Sequence, residues 1–296
     1  HPKASSVLNN GIANSGTINQ IHNYNNGTIN NGITNDGIIT NITNYNKGTI
    51  NGGITNSSQI GMIDNTGLIT GDLTNKANSI ITTINTGSIT GSIANSGEIT
   101  TLNVTGNVNN GITNTTGNIG NLIIDKGVIL GNNGITNNAA IGNFTNNANI
   151  TYSGSGSITG DFSNAKDFTI TLNDDLILNG NGNTFSNDGT LKGTISNIGA
   201  LASFTNTGSI TGLESGNITG TLSNSNTGII DNLVVDGNVS QMQNAVQSGG
   251  LIDGISSLLD TVVEKANQKD LIDYKVPSTI KQGKNVILNS IESNIE

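Results

Sequence analysis

The side chains that could act as acids, bases or metal ligands are few and scattered in this 296-residue chain. It contains two histidines, His1 and His22, and no cysteine. A serine hydrolase would have to use His22 as its base, yet the sequence has no G-x-S-x-G turn to present a nucleophilic serine. We therefore predict that His22 is a solvent-facing residue at a corner of the chain, with no catalytic role.

Asp174 and Asp175 are the only adjacent pair of acids. Paired carboxylates can bind Ca²⁺ or serve as an acid/base couple, but both roles need further oxygen or cationic partners. The G-G-x-G-x-D series of calcium-binding repeats is missing as well. We interpret the pair as a hydrated turn at the end of a strand, and as a candidate contact site. The sequence predicts no enzyme, no metal site and no cofactor.

The charge balance argues against partners that are bound through their phosphate groups. Charged residues make up 10% of the chain, the formal net charge is −9, and all 11 basic residues are lysines. Nucleic-acid surfaces and basic membrane patches both need dense Lys and Arg. No apolar run approaches the roughly 20 residues of a transmembrane helix, and the first residues lack a signal-peptide core. We expect a chain whose export signal was removed, or a piece of a longer precursor.

The composition favours an ordered, repetitive β structure. Hydrophobic residues make up 33% of the chain and are mainly Ile, Leu and Val, whereas aromatic residues make up 3%. Branched residues suit strands, and disordered chains usually lack them. The chain also contains 40 glycines but only 2 prolines, so turns are frequent while strand hydrogen bonding is rarely interrupted.

Isoleucine returns about every ten residues, in two alternating patterns. One pattern is I-x-x-I, as at Ile39 and Ile42, and we predict a tight corner at its two middle residues. The other is I-x-x-x-I, as at Ile50 and Ile54, which predicts a strand with the middle Gly52 facing inward. Two such half-turns make a repeat of about 20 residues, which is typical of a solenoid. The predicted inner ladder includes Ile18, Ile39, Ile60, Ile89 and Ile99.

An Asn-x-Gly motif precedes most of these half-turns. Glycine accepts positive φ, and asparagine can bond to its own turn backbone. Stacked from coil to coil, the amides could also bond to one another along the axis. The predicted ladder positions are Asn25, Asn35 and Asn46, followed by Gly27, Gly37 and Gly48.

These patterns predict an all-β parallel β-helix with a small helical C-terminal cap. We expect residues 1–15 to lead into it, residues 16–239 to form about 11 coils, and residues 240–296 to form the cap. The repeat loosens over 145–205, which predicts a wider coil or a projecting loop. Beyond Ser240, apolar residues at helical spacing predict a helix or helix pair that packs over a solenoid end or along its side.

The G-x-I-x-x-(x)-I repeat with its preceding Asn, over 16–239, resembles the passenger domains of Gram-negative autotransporters. The resemblance implies a right-handed β-helix and, near 240–296, a capping or autochaperone region that precedes an outer-membrane translocator barrel. The cysteine-free, Asn/Thr/Gly-rich style is similar to adhesive and self-associating passengers, and more loosely to those related to vacuolating cytotoxins. Filamentous-haemagglutinin-like secreted proteins share the same kind of repeat.

The sequence and this resemblance lead us to expect an exported, non-enzymatic adhesin on the bacterial surface. Its partners would be a host-cell receptor or glycan, or other copies of itself, through many weak polar contacts. The alternatives are a toxin-type passenger that lacks its effector domain and a filamentous-haemagglutinin-like secreted protein. An ice-binding solenoid would instead present Thr-x-Thr rows on a flat face, whereas the outward positions here mix Thr with Asn.

Overall fold

The computed structural model describes residues 6–131, 133–225, 227–235, 237, 239–243 and 285–288. In these residues the regular structure is all β, with no helix. The chain divides into two compact units, residues 1–157 and 158–296, and β19 (Ser157–Ile158) crosses the division. Each unit is described separately below.

Eighteen strands precede that division in the first unit. They are β1 (Val7–Leu8), β2 (Ile12–Asn14), β3 (Thr17–Asn23), β4 (Thr28–Ile29), β5 (Ile33–Asn35), β6 (Ile38–Asn44), β7 (Thr49–Asn51), β8 (Ile54–Asn56), β9 (Gln59–Thr70), β10 (Leu73–Asn75), β11 (Ile80–Ile89), β12 (Ile93–Asn95), β13 (Glu98–Val104), β14 (Ile112–Asn114), β15 (Asn118–Ile124), β16 (Ile135–Asn137), β17 (Ala140–Asn146) and β18 (Ile150–Ser153).

The strands of the second unit are fewer and several are longer. They are β20 (Phe162–Asn164), β21 (Thr169–Leu172), β22 (Leu176–Leu178), β23 (Thr184–Asn187), β24 (Thr190–Asn206), β25 (Ser209–Asn224), β26 (Ile229–Val235), β27 (Val239–Gln243) and β28 (Asn285–Leu288).

Every strand pairing within each unit is parallel. All of them except β26 with β28 join segments about one coil apart in sequence. Ile33 of β5 pairs with Ile54 of β8, which in turn pairs with Leu73 of β10. The short strands β2, β5, β8, β10, β12, β14 and β16 form one side of the coil, which we call side A. The longer strands that follow them form side B. The predicted parallel β-helix of about 11 coils is therefore confirmed.

The two isoleucine patterns have the opposite roles from those predicted. Between Ile50 and Ile54 the chain turns, because Gly52 (φ 99°) and Gly53 (φ 78°) adopt a backbone that cannot continue a strand. Gly52 is exposed, so its predicted inward position is wrong. Ile39 and Ile42, by contrast, lie in one strand, β6, and both are buried. The strand register omits the residue after Ile39, so the strand bends there without ending.

An inner ladder of asparagines runs along side A of the first unit. Each Nδ2 donates to the Oδ1 of the next asparagine at 2.8–2.9 Å, one coil further on. Each member is buried, and the amides of six of the seven also bond the backbone of the following turn, as in Asn35 Nδ2 to Gly37 O at 2.9 Å. Buried polar groups are tolerated when they are hydrogen-bonded in this way. The members are Asn14, Asn35, Asn56, Asn75, Asn95, Asn114 and Asn137.

The second unit combines an amide ladder with a stack of aromatic rings. Asn164, Asn187, Asn206 and Asn224 repeat the side-chain bonds at 2.7–2.9 Å. A phenylalanine lies two residues before each of the first three asparagines. These phenylalanines share one register position and are Phe162, Phe185 and Phe204. Their ring centroids lie 4.8 and 4.3 Å apart, and both pairs are 7° from parallel. Stacked rings of this kind fill the interior and keep successive coils in register.

The predicted domain limits differ from the structure at both ends. Parallel pairing begins at Val7–Leu8, before the expected start at residue 16. Val239–Gln243 is strand β27 and pairs with β25, so the helix predicted to begin after Ser240 is wrong at its first residues. Residues 285–288 pair with β26. The remainder of the predicted cap lies outside the described residues.

The predicted irregular segment, 145–205, keeps parallel pairing wherever its pairs lie within one unit. Phe162 of β20 pairs with Phe185 of β23, and Leu176 of β22 pairs with Ile195 of β24. The coil that begins at β20 contains an extra turn between β21 and β22, which explains the loss of the sequence repeat there.

We predict that replacing one central member of the inner ladder destabilises the fold. Asn75→Ala leaves the Asn56 amide and the Asn95 oxygen without their ladder bonds in a buried site. Because unpaired buried polar groups cost about 1–3 kcal/mol each, we expect the free energy of unfolding to fall by about 2–4 kcal/mol in a denaturant titration. Asn46→Ala, in an exposed turn, is the matched control and should change it by less than about 0.5 kcal/mol. Equal losses in the two variants would show that the ladder bonds do not stabilise the fold.

Tyr152 accepts the last bond of this ladder in the first unit. Asn137 Nδ2 donates to Tyr152 Oη at 3.0 Å, and the tyrosine is fully buried. Burial disfavours the phenolate and raises the pKa of Tyr152 to about 12, although the bond from Asn137 partly opposes the shift.

A second prediction concerns stability at alkaline pH. The pKa of Tyr152 is about 12 in the folded chain, against an ordinary value of 10.0. The folded state holds the proton more tightly, so this contribution is complete below pH 10 and is lost as the pH rises toward 12. The free energy of unfolding should fall by about 2–3 kcal/mol over that range. Tyr152→Phe should show a shallower decline in parallel titrations, and an unchanged slope would assign the decline to other groups.

Candidate binding surface

The predicted ladder isoleucines are core residues, with one partial exception. Ile39, Ile60, Ile89 and Ile99 are buried at 0–1% exposure. Ile18 occupies the same register position as Ile39 but is only half-buried. None of the five is available to a partner as an exposed side chain.

The predicted asparagine ladder is correct at Asn35 but wrong at Asn25 and Asn46. Both of the latter are exposed turn residues. Two residues earlier, Asn23 and Asn44 are the last inward-facing residues of their strands, and Asn23 Nδ2 donates to Asn44 Oδ1 at 2.7 Å. The inner position is therefore fixed by strand alternation and not by the distance to the turn glycine.

None of the three predicted glycines has room for a Cβ atom, which would clash with its own turn at Gly27 and Gly48 and with the preceding coil at Gly37. Gly27 and Gly48 are buried, and Gly37 is half-buried. A Cβ atom on Gly48 would lie 2.5 Å from the Oδ1 of Asn44 and 2.9 Å from the carbonyl oxygen of Tyr45. These glycines are thus steric requirements of the fold and offer nothing to a ligand.

The candidate acids and the histidine occupy separate exposed sites. Asp174 and Asp175 lie in the turn between β21 and β22 of the second unit. His22 is exposed on β3 of the first unit, with Nε2 3.0 Å from Gln20 Oε1. His1 lies outside the described residues. Across the described ranges, no group of three or more His, Cys, Asp or Glu side chains could hold a metal ion.

One outward row of amides bonds to itself. Asn30 Nδ2 donates to Asn9 Oδ1 at 3.1 Å, Asn51 Nδ2 to Asn30 Oδ1 at 2.9 Å, and Thr70 Oγ1 to Asn51 Oδ1 at 2.8 Å. Although these side chains lie at the surface, part of their hydrogen-bonding capacity is already used between coils.

A different outward row lies on side A, at the middle residue of each short strand, and continues at the last residue of β18. We call it the threonine face. Successive members pair in register, at a spacing of about 4.8 Å. Its members are Ala13, Thr34, Thr55, Thr74, Ala94, Thr113, Thr136 and Ser153.

The hydroxyl groups of the threonine face are largely unused within the chain. Thr136 and Ser153 bond to each other at 3.2 Å. In the described ranges, the hydroxyls of Thr34, Thr55 and Thr74 have no hydrogen-bond partner. They are therefore free to bond to solvent or to a partner.

The surface beside the threonine face carries few charges. The row that follows the inner asparagines contains Asp36 and Lys76, with Ser57 between them. The backbone N–H of each of these residues donates to a carbonyl oxygen of the preceding coil. The combined surface is polar, hydrogen-bonding and almost neutral.

Tyr24 and Tyr45 form an exposed cluster with His22 that the sequence reasoning missed. A signal was present, because both tyrosines stand in the same motif, N-Y-N-x-G, one coil apart. Residues that repeat at the coil spacing stack on one another in a parallel β-helix.

No helix that could cross a membrane occurs among the residues that the structure describes. Comparison of the chain with family models, with curated proteins and with solved structures gives no match.

Proposed function

We propose that this chain is a non-enzymatic adhesive solenoid that is exported to the surface of a Gram-negative bacterium. In this proposal it is the passenger part of a precursor with an outer-membrane translocator, and it attaches to host cells or to sister bacteria. The autotransporter-like repeat and the parallel β-helix support the proposal. Export through a pore also suits a chain without cysteine.

The threonine face is the observation that carries the proposal. Thr34, Thr55 and Thr74 present hydroxyls that no other group in the described part of the chain uses. The Asn30 and Asn51 amides, in contrast, already use part of their hydrogen-bonding capacity between coils. An array of free donors and acceptors on a regular sheet suits a partner that offers repeated polar groups.

The affinity in this mechanism comes from repetition. One exposed hydrogen bond contributes only about 0.5–1.5 kcal/mol net, which is too little for specific binding. Several such bonds on one rigid face form together once the first is made, because the later ones become intramolecular events. The inner asparagine ladder keeps the face rigid, so little conformational entropy is lost on binding.

The proposal predicts that removing the free hydroxyls weakens attachment. Beads coated with the full chain would be counted after washing on cultured epithelial monolayers, and their clumping would be scored without cells. Replacing Thr34, Thr55 and Thr74 with Val keeps branched side chains that suit strands. Retention or clumping should fall about ten-fold or more, because three hydrogen bonds of about 0.5–1.5 kcal/mol each are lost.

The matched control replaces three threonines whose hydroxyls already bond the backbone of the preceding coil. These are Thr66, Thr105 and Thr116. Their Val variants should keep wild-type retention. Equal behaviour of the two triple variants, or a wild-type chain that neither adheres nor clumps, would contradict the proposal. Thermal hysteresis of the wild-type chain, abolished only by the first triple variant, would assign the face to ice instead.

A further inference from the structure

We infer that His22, Tyr24 and Tyr45, which we call the ring cluster, bind a pyranose ring of a neutral glycan. The inference deepens the proposed adhesive function and rests on it for its biological setting. It concerns a different surface from the threonine face and a single sugar-sized ligand.

The three rings form one compact stack. The centroids of Tyr24 and Tyr45 lie 5.2 Å apart, with planes 5° from parallel. The His22 ring lies 5.7 Å from Tyr24 and 5.9 Å from Tyr45. Such offset stacking holds the rings in place by their own attraction.

The rings are exposed although aromatic residues are scarce in this chain. Tyr24 is 62% exposed, His22 is exposed and Tyr45 is half-buried. Apart from the half-buried Phe168, the other described rings are all buried: Phe144, Tyr152, Phe162, Phe185 and Phe204. The ring cluster is therefore a concentrated aromatic surface, and it contributes little to the core.

Hydrogen bonds and turn geometry preorganise the ring cluster. Tyr45 Oη lies 3.4 Å from His22 Nδ1, and His22 Nε2 lies 3.0 Å from Gln20 Oε1. The two tyrosines precede equivalent turns, in which Asn26 (φ 63°) and Lys47 (φ 64°) share the left-handed conformation. Rigid tyrosines supply contact area at a low entropic cost.

The ring spacing and the charge of the chain exclude insertion between the rings and disfavour nucleic acid. A third ring inserted between two others needs them about 7 Å apart, so the 5.2 Å stack cannot admit a proline ring or a base between Tyr24 and Tyr45. The net charge of −9 without arginine also disfavours nucleic acid.

A neutral pyranose matches the remaining features. Its C–H face packs against aromatic carbon, and its hydroxyls need amide partners at the rim. Gln20 bonds the cluster directly, and the exposed amides of Asn25 and Asn46 lie in the turns that follow the two tyrosines. The 5.2 Å spacing of the tyrosine centroids is wider than the roughly 3.5–4.0 Å contact distance between carbon atoms, so the two rings do not cover each other completely. The uncovered parts of the ring faces and these amides together provide both kinds of contact.

The test is saturation-transfer NMR on the full chain with the methyl glycosides of glucose, galactose, mannose and N-acetylglucosamine. We expect transfer to the ring protons of at least one glycoside. Replacing both tyrosines with Leu, which keeps apolar bulk but removes the aromatic faces, should weaken that binding about ten-fold or more. His22→Ala should weaken it less, because the imidazole supports Tyr45.

Ile129→Ala is the matched control, since Ile129 is also 62% exposed and lies in the same unit. It should bind as the wild type does. Circular dichroism of each variant checks that the coils remain folded. The inference is overturned if none of the four glycosides shows transfer, or if the double variant binds them as tightly as the control.

This test separates the inference from the proposed function. Bead retention that survives in the tyrosine double variant, together with absent glycoside binding, would remove the ring cluster and leave the threonine face intact. Glycoside binding without any bead retention or clumping would support the ring cluster as a sugar site and contradict the proposed adhesive function.

Discussion

The structure depends on one constraint: each residue of a parallel coil lies about 4.8 Å from the residue at the same position in the next coil. A side chain in this fold must therefore pack or bond well against an identical or similar side chain in the next coil. Asparagine meets this requirement because its amide is both donor and acceptor, so Asn35 can bond to Asn14 and Asn56 at the same time. Isoleucine and phenylalanine meet it by packing. A charged residue does not, and no register pair in the described strands joins two charged residues.

The same constraint divides the surface into used and unused rows. Long amides such as Asn30 and Asn51 reach the next coil and bond to it. The shorter hydroxyls of Thr34 and Thr55 leave their bonding capacity to solvent. A single sequence repeat thus produces both a rigid interior and a regular exterior of available polar groups. The ring cluster follows the same rule, because Tyr24 and Tyr45 stack only as equivalent residues of successive coils.

The departures from the repeat are also informative. The column that begins with Asn23, Asn44 and Asn65 continues as Thr86, Val104 and Ile124. All six residues are buried, so packing replaces hydrogen bonding along one column without breaking the strands. In the second unit, the phenylalanine stack accompanies the amide ladder. The fold therefore requires compatibility between neighbouring coils, and it can meet this need with either polar or apolar contacts.

The sequence by itself determined the period, the parallel β-helix and most of the core, since Ile39, Ile60 and Ile99 recur at intervals of one or two coils. The periodicity gives the length of one coil but not the positions of the turns within it. Only the tertiary structure placed the corner at Gly52 and Gly53, because their positive φ values are not visible in an isoleucine spacing. It also moved the inner amides from Asn25 and Asn46 to Asn23 and Asn44, because strand alternation decides which side chain faces inward. The ring cluster and the free hydroxyls needed the structure for the same reason: both depend on the contacts that form when one coil lies on another.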